Sequence, residues 1–231
     1  MRTLGIIGGI GPESTIEYYR QIIAAYRARA AGAYPSIVIN SIDARRLLGG
    51  VGAGDLAGVR GYLSAEVGRL ARAGADVALL ASNTPHIVFD ALARRSPVPL
   101  ISIVEATCAA ARQRGLRRLG LLGTRFTMQG RFYRDVFAGV GIALVVPDDE
   151  EQAYVHDRYM GELVEGVVLA ETHRRVLAII DAMRRRDAID GIILGGTELS
   201  LLIRDEVVHG IPVLDTTRIH VRAAVDALLS A

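Results

Sequence analysis

Short apolar runs alternate along the chain with longer segments whose apolar residues recur at helical spacing. Four runs in the first half, at residues 4–7, 36–40, 77–80 and 100–103, predict strands. Helical spacing between them predicts helices at about 56–73 and 105–113, and a further helix that Pro85 opens. This alternation is typical of a parallel sheet with helices on both faces. We therefore predict an α/β protein.

The first helix is expected to begin at Pro12, whose fixed φ suits the first helical turn. Its predicted apolar face consists of Ile16, Tyr19, Ile23 and Tyr26. After the second strand the chain is rich in glycine, and we predict a loop there. The glycines of that loop are Gly49, Gly50, Gly52 and Gly54.

The chain carries nearly the same pattern twice. Leu-Gly-Ile-Ile-Gly at 4–8 recurs as Leu-Gly-Leu-Leu-Gly at 119–123, the strand at 77–82 recurs at 190–196, and Val-Pro-Leu at 98–100 recurs as Ile-Pro-Val at 211–213. The offsets are 113 to 115 residues. General self-similarity of α/β chains is one explanation, and two similar halves related by a pseudo-twofold axis is the interpretation we favour. The halves would be 1–100 with a C-terminal helix at about 215–231, and 101–214.

Composition excludes several chemistries. The 231 residues include 27 basic side chains, all of them arginine, so a lysine Schiff base with pyridoxal phosphate and a Walker lysine are excluded. Cys108 is the one cysteine, and the five histidines lack the i, i+4 spacing of a zinc helix, so we expect no metal site. A net charge of +2 argues against nucleic acid. The first residues have the pattern of a strand rather than a leader or membrane span, and we expect a cytoplasmic protein.

Small polar residues follow the predicted strands, where ligands bind in open α/β sheets. Backbone N–H groups and hydroxyls there can hold a small anion such as a carboxylate. Ordinary helix capping is the alternative for each residue taken singly. The glycines at 8, 9 and 11 do not form a dinucleotide fingerprint, because Ser14 stands where a third glycine is expected. The substrate-binding candidates are Gly9, Asn83, Thr84, Thr124, Arg125 and Thr127.

At these residues the chain resembles the aspartate/glutamate racemase superfamily, in its bacterial aspartate/glutamate racemase branch. The matching segments are Gly-Gly-Ile-Gly-Pro-Glu-Ser-Thr at 8–15, Ser-Asn-Thr-Pro-His at 82–86, Leu-Leu-Gly-Thr-Arg-Phe-Thr-Met at 121–128, Gly-Gly-Thr-Glu at 195–198 and Pro-Val-Leu-Asp at 212–215. The resemblance implies two flavodoxin-like halves with a cleft between them and usually a homodimer. It also implies cofactor-independent inversion at Cα of a small acidic amino acid.

Inverting a carbon acid without a cofactor requires a base on one face of Cα and an acid on the other. The family's two cysteines map here onto Ser82 and Gly196, so neither thiol is present. The resemblance places Thr197 and Glu198 in the same catalytic segment. A serine hydroxyl needs a proton acceptor, for which His86 and Glu198 are candidates, with capping, surface or structural roles as the alternatives. Cys108 is expected to be a buried, inert thiol within a helix.

Two charged segments have competing interpretations. Arg45 and Arg46 follow the second strand, where family members place a substrate-contacting arginine, and a solvated loop pair is the alternative. The acidic segment at 148–151 is expected to be a helix start that complements the helix dipole, with a metal site as the alternative.

Three functions remain open from the sequence. The first is an amino-acid racemase acting on a small acidic amino acid or dicarboxylate. The second is a lyase, decarboxylase or isomerase on the same scaffold, with the missing side chain of Gly196 leaving room for a bulkier substrate or a water. The third is a non-catalytic protein that binds a small acid.

Overall fold

The computed structural model describes residues 2–230, and the chain divides into two units. One unit runs to Ile103 and takes up the chain again from His220, whereas the other comprises Val104–Ile219. Each unit contains one predominantly parallel sheet with its own helices. No helix of residues 2–230 has both the length and the apolar character that crossing a membrane requires.

The sheet of the first unit has four parallel strands, which are β1 (Thr3–Gly8), β2 (Ser36–Ser41), β3 (Val77–Leu80) and β4 (Leu100–Ile101). Their order across the sheet is β2-β1-β3-β4. The central strands β1 and β3 are apolar and buried along most of their length, as expected for a parallel sheet that is covered on both faces.

Helices connect these strands, and they are α1 (Pro12–Arg29), α2 (Ala44–Gly52), α3 (Leu56–Arg72) and α4 (Phe89–Ala93). The chain also forms a short 3₁₀ turn, Thr84–Val88, directly after β3. The last helix of the chain spans Thr216–Leu229 and belongs to the first unit from His220 onward.

The sheet of the second unit has five strands, which are β5 (Arg118–Gly123), β6 (Ala143–Val145), β7 (Gly191–Gly195), β8 (Val207–Val208) and β9 (Ile211–Asp215). Their order is β6-β5-β7-β9-β8. The first four in this order are parallel, and the short β8 pairs antiparallel with β9 at the edge.

The second unit is rich in helix. Its helices are α5 (Ile103–Gln113), α6 (Arg125–Gln129), α7 (Arg131–Ala138), α8 (Asp149–Gly161), α9 (Ala170–Asp187) and α10 (Leu199–Leu202). The C-terminal helix described above, Thr216–Leu229, is α11. Asp148 caps α8 in a reciprocal capping box with Glu151, which confirms the expected acidic helix start.

Each unit has its own apolar core. In the first unit, β1 and β3 pack with α1 and the C-terminal helix around Leu4, Ile22, Leu79 and Val225. In the second unit, the core between β7, α8 and α9 includes Tyr159. Burial of this apolar surface is the main force that holds each unit together.

The predicted face of α1 is partly wrong. Tyr26 is buried as predicted, but Ile16 and Tyr19 are 45% and 47% exposed, and the buried positions are Tyr18 and Ile22 together with Ser14. Isoleucine and tyrosine occur on two neighbouring stripes of this helix, so periodicity alone does not select the stripe that faces the sheet.

The predicted glycine loop after β2 is also wrong in part, because residues up to Gly52 form α2. The Asp43 carboxylate accepts hydrogen bonds from the backbone N–H groups of Arg45 and Arg46, and Leu47 and Val51 bury the inner face. An N-cap and an apolar i, i+4 pair therefore outweigh the low helix propensity of glycine. Strand β4 ends at Ile101, earlier than predicted, because α5 begins at Ile103.

Candidate functional site

The carboxyl ends of the first unit's strands bring several predicted site residues to one edge of that sheet. Gly9, directly after β1, has φ +82°, and an added Cβ would lie 2.8 Å from the backbone nitrogen of Ile42, so the position requires glycine. Its N–H donates a 2.9 Å hydrogen bond to the hydroxyl of Thr15. The amide of Gly9 is therefore engaged within the protein.

Ser82 follows β3 and is half-buried. The carbonyl oxygen of Ser82 lies 3.0 Å from Nδ1 of His86, and the backbone N–H of Ile103 lies 3.2 Å from Nε2 of the same ring. Because a backbone N–H only donates, Nε2 is the acceptor and Nδ1 carries the proton. Burial, together with the nearby His220, lowers the pKa of His86 to about 3.

His86 does not accept a proton from the Ser82 hydroxyl. Both ring nitrogens are engaged with the backbone, and the side chain is 2% exposed and stacked on Phe89. The prediction that His86 is a base for Ser82 is therefore wrong. The alternative prediction, that His86 is a surface group, is also wrong. Its role is to fix the carbonyl of Ser82 at the end of β3.

The other candidates of the first unit differ in exposure. Asn83 and Thr84 are buried and begin the 3₁₀ turn after β3, where the carbonyl of Asn83 accepts from the N–H of His86. Arg45 is exposed in the first turn of α2. Arg46 beside it lies over the ring of Tyr62 at 4.3 Å, which accounts for Arg46 as a surface cation–π contact.

In the second unit, Thr124 follows β5 and caps α6. Its hydroxyl accepts from the N–H of Thr127 at 3.4 Å and lies 3.3 Å from the Thr127 hydroxyl. Arg125 is exposed, and its backbone N–H donates to Nδ1 of His156 on α8 at 3.3 Å. Burial, and secondarily the charge of Arg125, lowers the pKa of His156. Thr124 thus serves as the N-cap that the alternative interpretation proposed.

Glu198 is almost fully buried at the end of β7, where it meets two hydroxyl groups. The phenolic O–H of Tyr159 and the O–H of Thr197 both donate to Oε2 of Glu198, the latter at 2.8 Å. Tyr159 is itself 6% exposed and reaches this point from α8. Burial, and then the neighbouring Glu198 carboxylate, raises the pKa of Tyr159 well above its ordinary value.

The ring of Tyr159 fills the space beside Gly196. A Cβ built on Gly196 would lie 2.9 Å from both Cζ and the hydroxyl oxygen of Tyr159, and nearer still to Cε2. The expectation that the missing side chain leaves room for a bulkier substrate or a water is therefore wrong. Gly196 is required by the close approach of an aromatic ring.

The sequence did not reveal Tyr159. Tyr159 lies 37 residues before Gly196 on a separate helix, and nothing in the strand-end motifs points to it. Thr217, at the start of α11, is 2% exposed, and its hydroxyl has no hydrogen-bond partner among residues 2–230.

Cys108 is buried as expected, and burial raises the pKa of its thiol. Within the described part of the chain, no three metal-ligating side chains cluster together.

Comparison with known proteins identifies the family. The family model described as Asp/Glu/Hydantoin racemase matches residues 7–224. The chain belongs to this family. Among curated relatives, this racemase-family chain is 24% identical over 238 residues, 98% of each chain, to the broad specificity amino-acid racemase RacX of Bacillus subtilis.

Solved structures agree. A putative Asp/Glu racemase from Yersinia pestis matches with a TM-score of 0.90 and 34% identity, and an aspartate racemase homologue from Pyrococcus horikoshii with a TM-score of 0.85 and 34% identity; each match covers 100% of both chains. The aspartate racemase of Picrophilus torridus, at 19% identity and a TM-score of 0.79, shares the fold over 99% of this chain and 94% of its own. The predicted family and the predicted α/β fold class are confirmed.

Proposed function

We propose that this protein is a cofactor-independent racemase of a small acidic amino acid of the aspartate or glutamate type. Membership of the racemase family supports a racemase-like reaction. Two solved relatives at 34% identity, described as a putative Asp/Glu racemase and an aspartate racemase homologue, support the acidic substrate class. The broad specificity amino-acid racemase RacX supports an amino acid as the substrate. Because the chain has no lysine, pyridoxal phosphate cannot be held as a lysine Schiff base, which supports a reaction without it.

One observation carries the proposal. The third strand in the order of each sheet, β3 in the first unit and β7 in the second, ends in a polar segment with buried side chains. The two segments are Ser82-Asn83-Thr84 and Gly196-Thr197-Glu198. Inversion at Cα requires one proton-transfer group for each face of the carbon, and a duplicated strand end supplies two equivalent positions. We assign one group to each unit.

Ser82 is the group that we assign to the first unit. Because both ring nitrogens of His86 are engaged, His86 does not take the Ser82 proton. We assign Ser82 the protonation of the carbanion: its O–H bond breaks as the new Cα–H bond forms. The resulting alkoxide then regains a proton from solvent, which also receives the proton removed from the other face of Cα. We further propose substrate-binding roles for Arg45, Asn83 and Thr84 in the first unit. In the second unit we propose them for Arg125 and Thr127, and for Thr124 beside its capping role.

Deuterium exchange at Cα tests the proposal. The protein is incubated in D₂O with each enantiomer of aspartate, glutamate and a panel of neutral amino acids, and label is measured by mass spectrometry beside chiral chromatography. We expect exchange and inversion with an acidic amino acid, lowered at least tenfold by Ser82→Ala and unchanged by Ser36→Ala, an exposed serine of β2. Absence of both exchange and inversion across the panel at high enzyme concentration overturns the racemase proposal.

A non-catalytic binding protein is the second candidate. It is favoured by the engagement of both His86 nitrogens, which leaves Ser82 without a histidine base. Calorimetric binding of an acidic amino acid without exchange in the same preparation would select this function.

A lyase or decarboxylase for bulkier substrates loses its basis, because Tyr159 fills the space beside Gly196. The homodimer stays a prediction, for which sedimentation equilibrium is the direct measurement.

A further inference from the structure

We propose that the phenol of Tyr159 is the proton-transfer group of the second unit, acting in place of a side chain at Gly196 with Glu198 as its proton partner. This inference rests on the proposed racemase function and goes beyond it, because it assigns the reacting atom at the edge where β7 ends. Its geometry lies wholly within the second unit.

The position of the phenolic oxygen is the first argument. It lies 2.9 Å from the point at which the first side-chain atom of residue 196 would stand. The phenolic oxygen of Tyr159 on α8 therefore lies where a side chain at position 196, after β7, would place its own reactive atom. Tyr159 belongs to the buried face of α8, with Gln152 and Val155, so its ring is held by packing rather than placed on a loop.

The hydrogen bonds of Glu198 are the second argument. Its Oε2 atom accepts from both Tyr159 and Thr197, and in the proposed relay this oxygen belongs to an ionised carboxylate. Hydrogen bonds to a charged oxygen are stronger than those between neutral groups. The phenol proton thus already points at a group that can take it.

The step can be written with all protons and electrons accounted for. As the Cα–H bond of the substrate breaks, its electron pair stays on Cα and delocalises into the adjacent carboxylate. The released proton bonds to the phenolic oxygen, and the original phenolic proton moves to Oε2 of Glu198. Tyr159 is neutral before and after the step. The reverse sequence delivers a proton to Cα.

A relay of this kind suits the surroundings of Tyr159. Burial and the adjacent carboxylate raise its pKa, which disfavours a free phenolate at neutral pH. Moving both protons together avoids that species, because the negative charge passes from Glu198 to the substrate. The charge is never carried by the tyrosine.

Three matched variants test the assignment by the rate of deuterium exchange. Tyr159→Phe removes the hydroxyl, Glu198→Gln keeps the size of the side chain but cannot take the proton, and Tyr154→Phe alters a half-buried tyrosine on the same helix. We expect kcat to fall about 100-fold or more in the first two with KM within threefold, as for loss of a general acid or base. Tyr154→Phe should stay within twofold of the wild type.

The outcomes separate the two proposals. If the wild-type protein catalyses no exchange, the racemase function fails and this assignment fails with it. If the wild type is active and Tyr159→Phe retains more than a third of its kcat, the assignment alone is overturned.

The proton inventory in H₂O/D₂O mixtures gives a second readout for the wild type. When the second unit delivers a proton to Cα, both moving protons come from solvent, and the relay predicts a curved plot for that direction of the reaction. Linear plots for both enantiomers would overturn the relay. Because the proton inventory uses the wild-type protein, it tests the relay even if Tyr159→Phe or Glu198→Gln fails to fold. Circular dichroism shows whether each variant is folded.

Discussion

The hydroxyl of Tyr18 donates a hydrogen bond to Nδ1 of His220 across 2.9 Å and so joins α1 to α11 within the first unit. The direction of this bond is set by the other ring nitrogen. Nε2 of His220 lies 3.0 Å from the carbonyl of Ile101, which can only accept, so Nε2 carries the proton. The ring is fully buried and neutral, and burial lowers its pKa to about 4.

Removing the hydroxyl of Tyr18 should destabilise the protein. Tyr18→Phe leaves Nδ1 of His220 buried without its donor, and an unsatisfied buried acceptor costs about 1–3 kcal/mol. The free energy of unfolding in urea at pH 7.5 measures this loss. The matched control is Tyr19→Phe, because its side chain is 47% exposed and the change should stay within about 0.5 kcal/mol. Equal losses in the two variants would contradict the prediction.

Acid should destabilise the protein through its buried histidines. His86 and His220 have folded-state pKa values of about 3 and about 4, against 6.5 for an exposed histidine. Between pH 6.5 and pH 4 the unfolded chain therefore binds protons that the folded protein does not. The free energy of unfolding should fall as the pH drops through this window, by up to about 1.4 kcal/mol per pH unit for each histidine.

A variant isolates this contribution from the titration of carboxylates. His220→Gln removes the titrating group and keeps an amide to donate to Ile101, so its unfolding free energy should depend less steeply on pH between 6 and 4.5. The reduction should approach about 1.4 kcal/mol per pH unit. Tyr19→Phe, which leaves every histidine in place, serves as the control and should keep the wild-type slope. An unchanged slope in His220→Gln would contradict the buried neutral state.

The sequence predicted the alternation of strands and helices and the repeat, because apolar runs and strand-end motifs are local signals. It did not predict which stripe of α1 is buried, because Tyr18 and Tyr19 sit side by side and only contacts with distant elements such as His220 distinguish them. The helix α2 was missed because its glycines outweighed the capping signal of Asp43 when only local sequence was considered.

The candidate site was predictable only where it comes directly after strands. Ser82 and Glu198 were found from the motifs after β3 and β7, but the surroundings of both residues depend on segments far away in sequence. Ile103 engages His86 and thereby removes a base, and Tyr159 reaches Gly196 from another helix. The spacing of apolar residues indicates which face of α8 is buried, but it does not predict that Tyr159 on this face contacts Gly196.

Adding one carbon at Gly196 should be costly. The Cβ of Gly196→Ala would overlap the ring of Tyr159, and forcing extra atoms into a packed core typically costs about 1–3 kcal/mol. Thermal and urea unfolding measure the loss. Gly61→Ala on α3 is the control, because its Cβ meets open space, and replacing a mid-helix glycine should stabilise by about 0.5–1 kcal/mol. A neutral or stabilising Gly196→Ala would show that the ring of Tyr159 moves freely.

A thiol at position 196 should function only after the tyrosine is removed. In Gly196→Cys the ring of Tyr159 blocks the new side chain, so we expect poor folding and no gain in exchange. Tyr159→Ala with Gly196→Cys opens that space, and a thiol with an ordinary pKa near 8.5 can then transfer the proton. Deuterium exchange should rise at least tenfold over Tyr159→Ala alone, with a rate that increases as the thiol ionises. A titratable, reagent-accessible thiol in the double variant without any such rise would mean that position 196 does not face the reacting carbon.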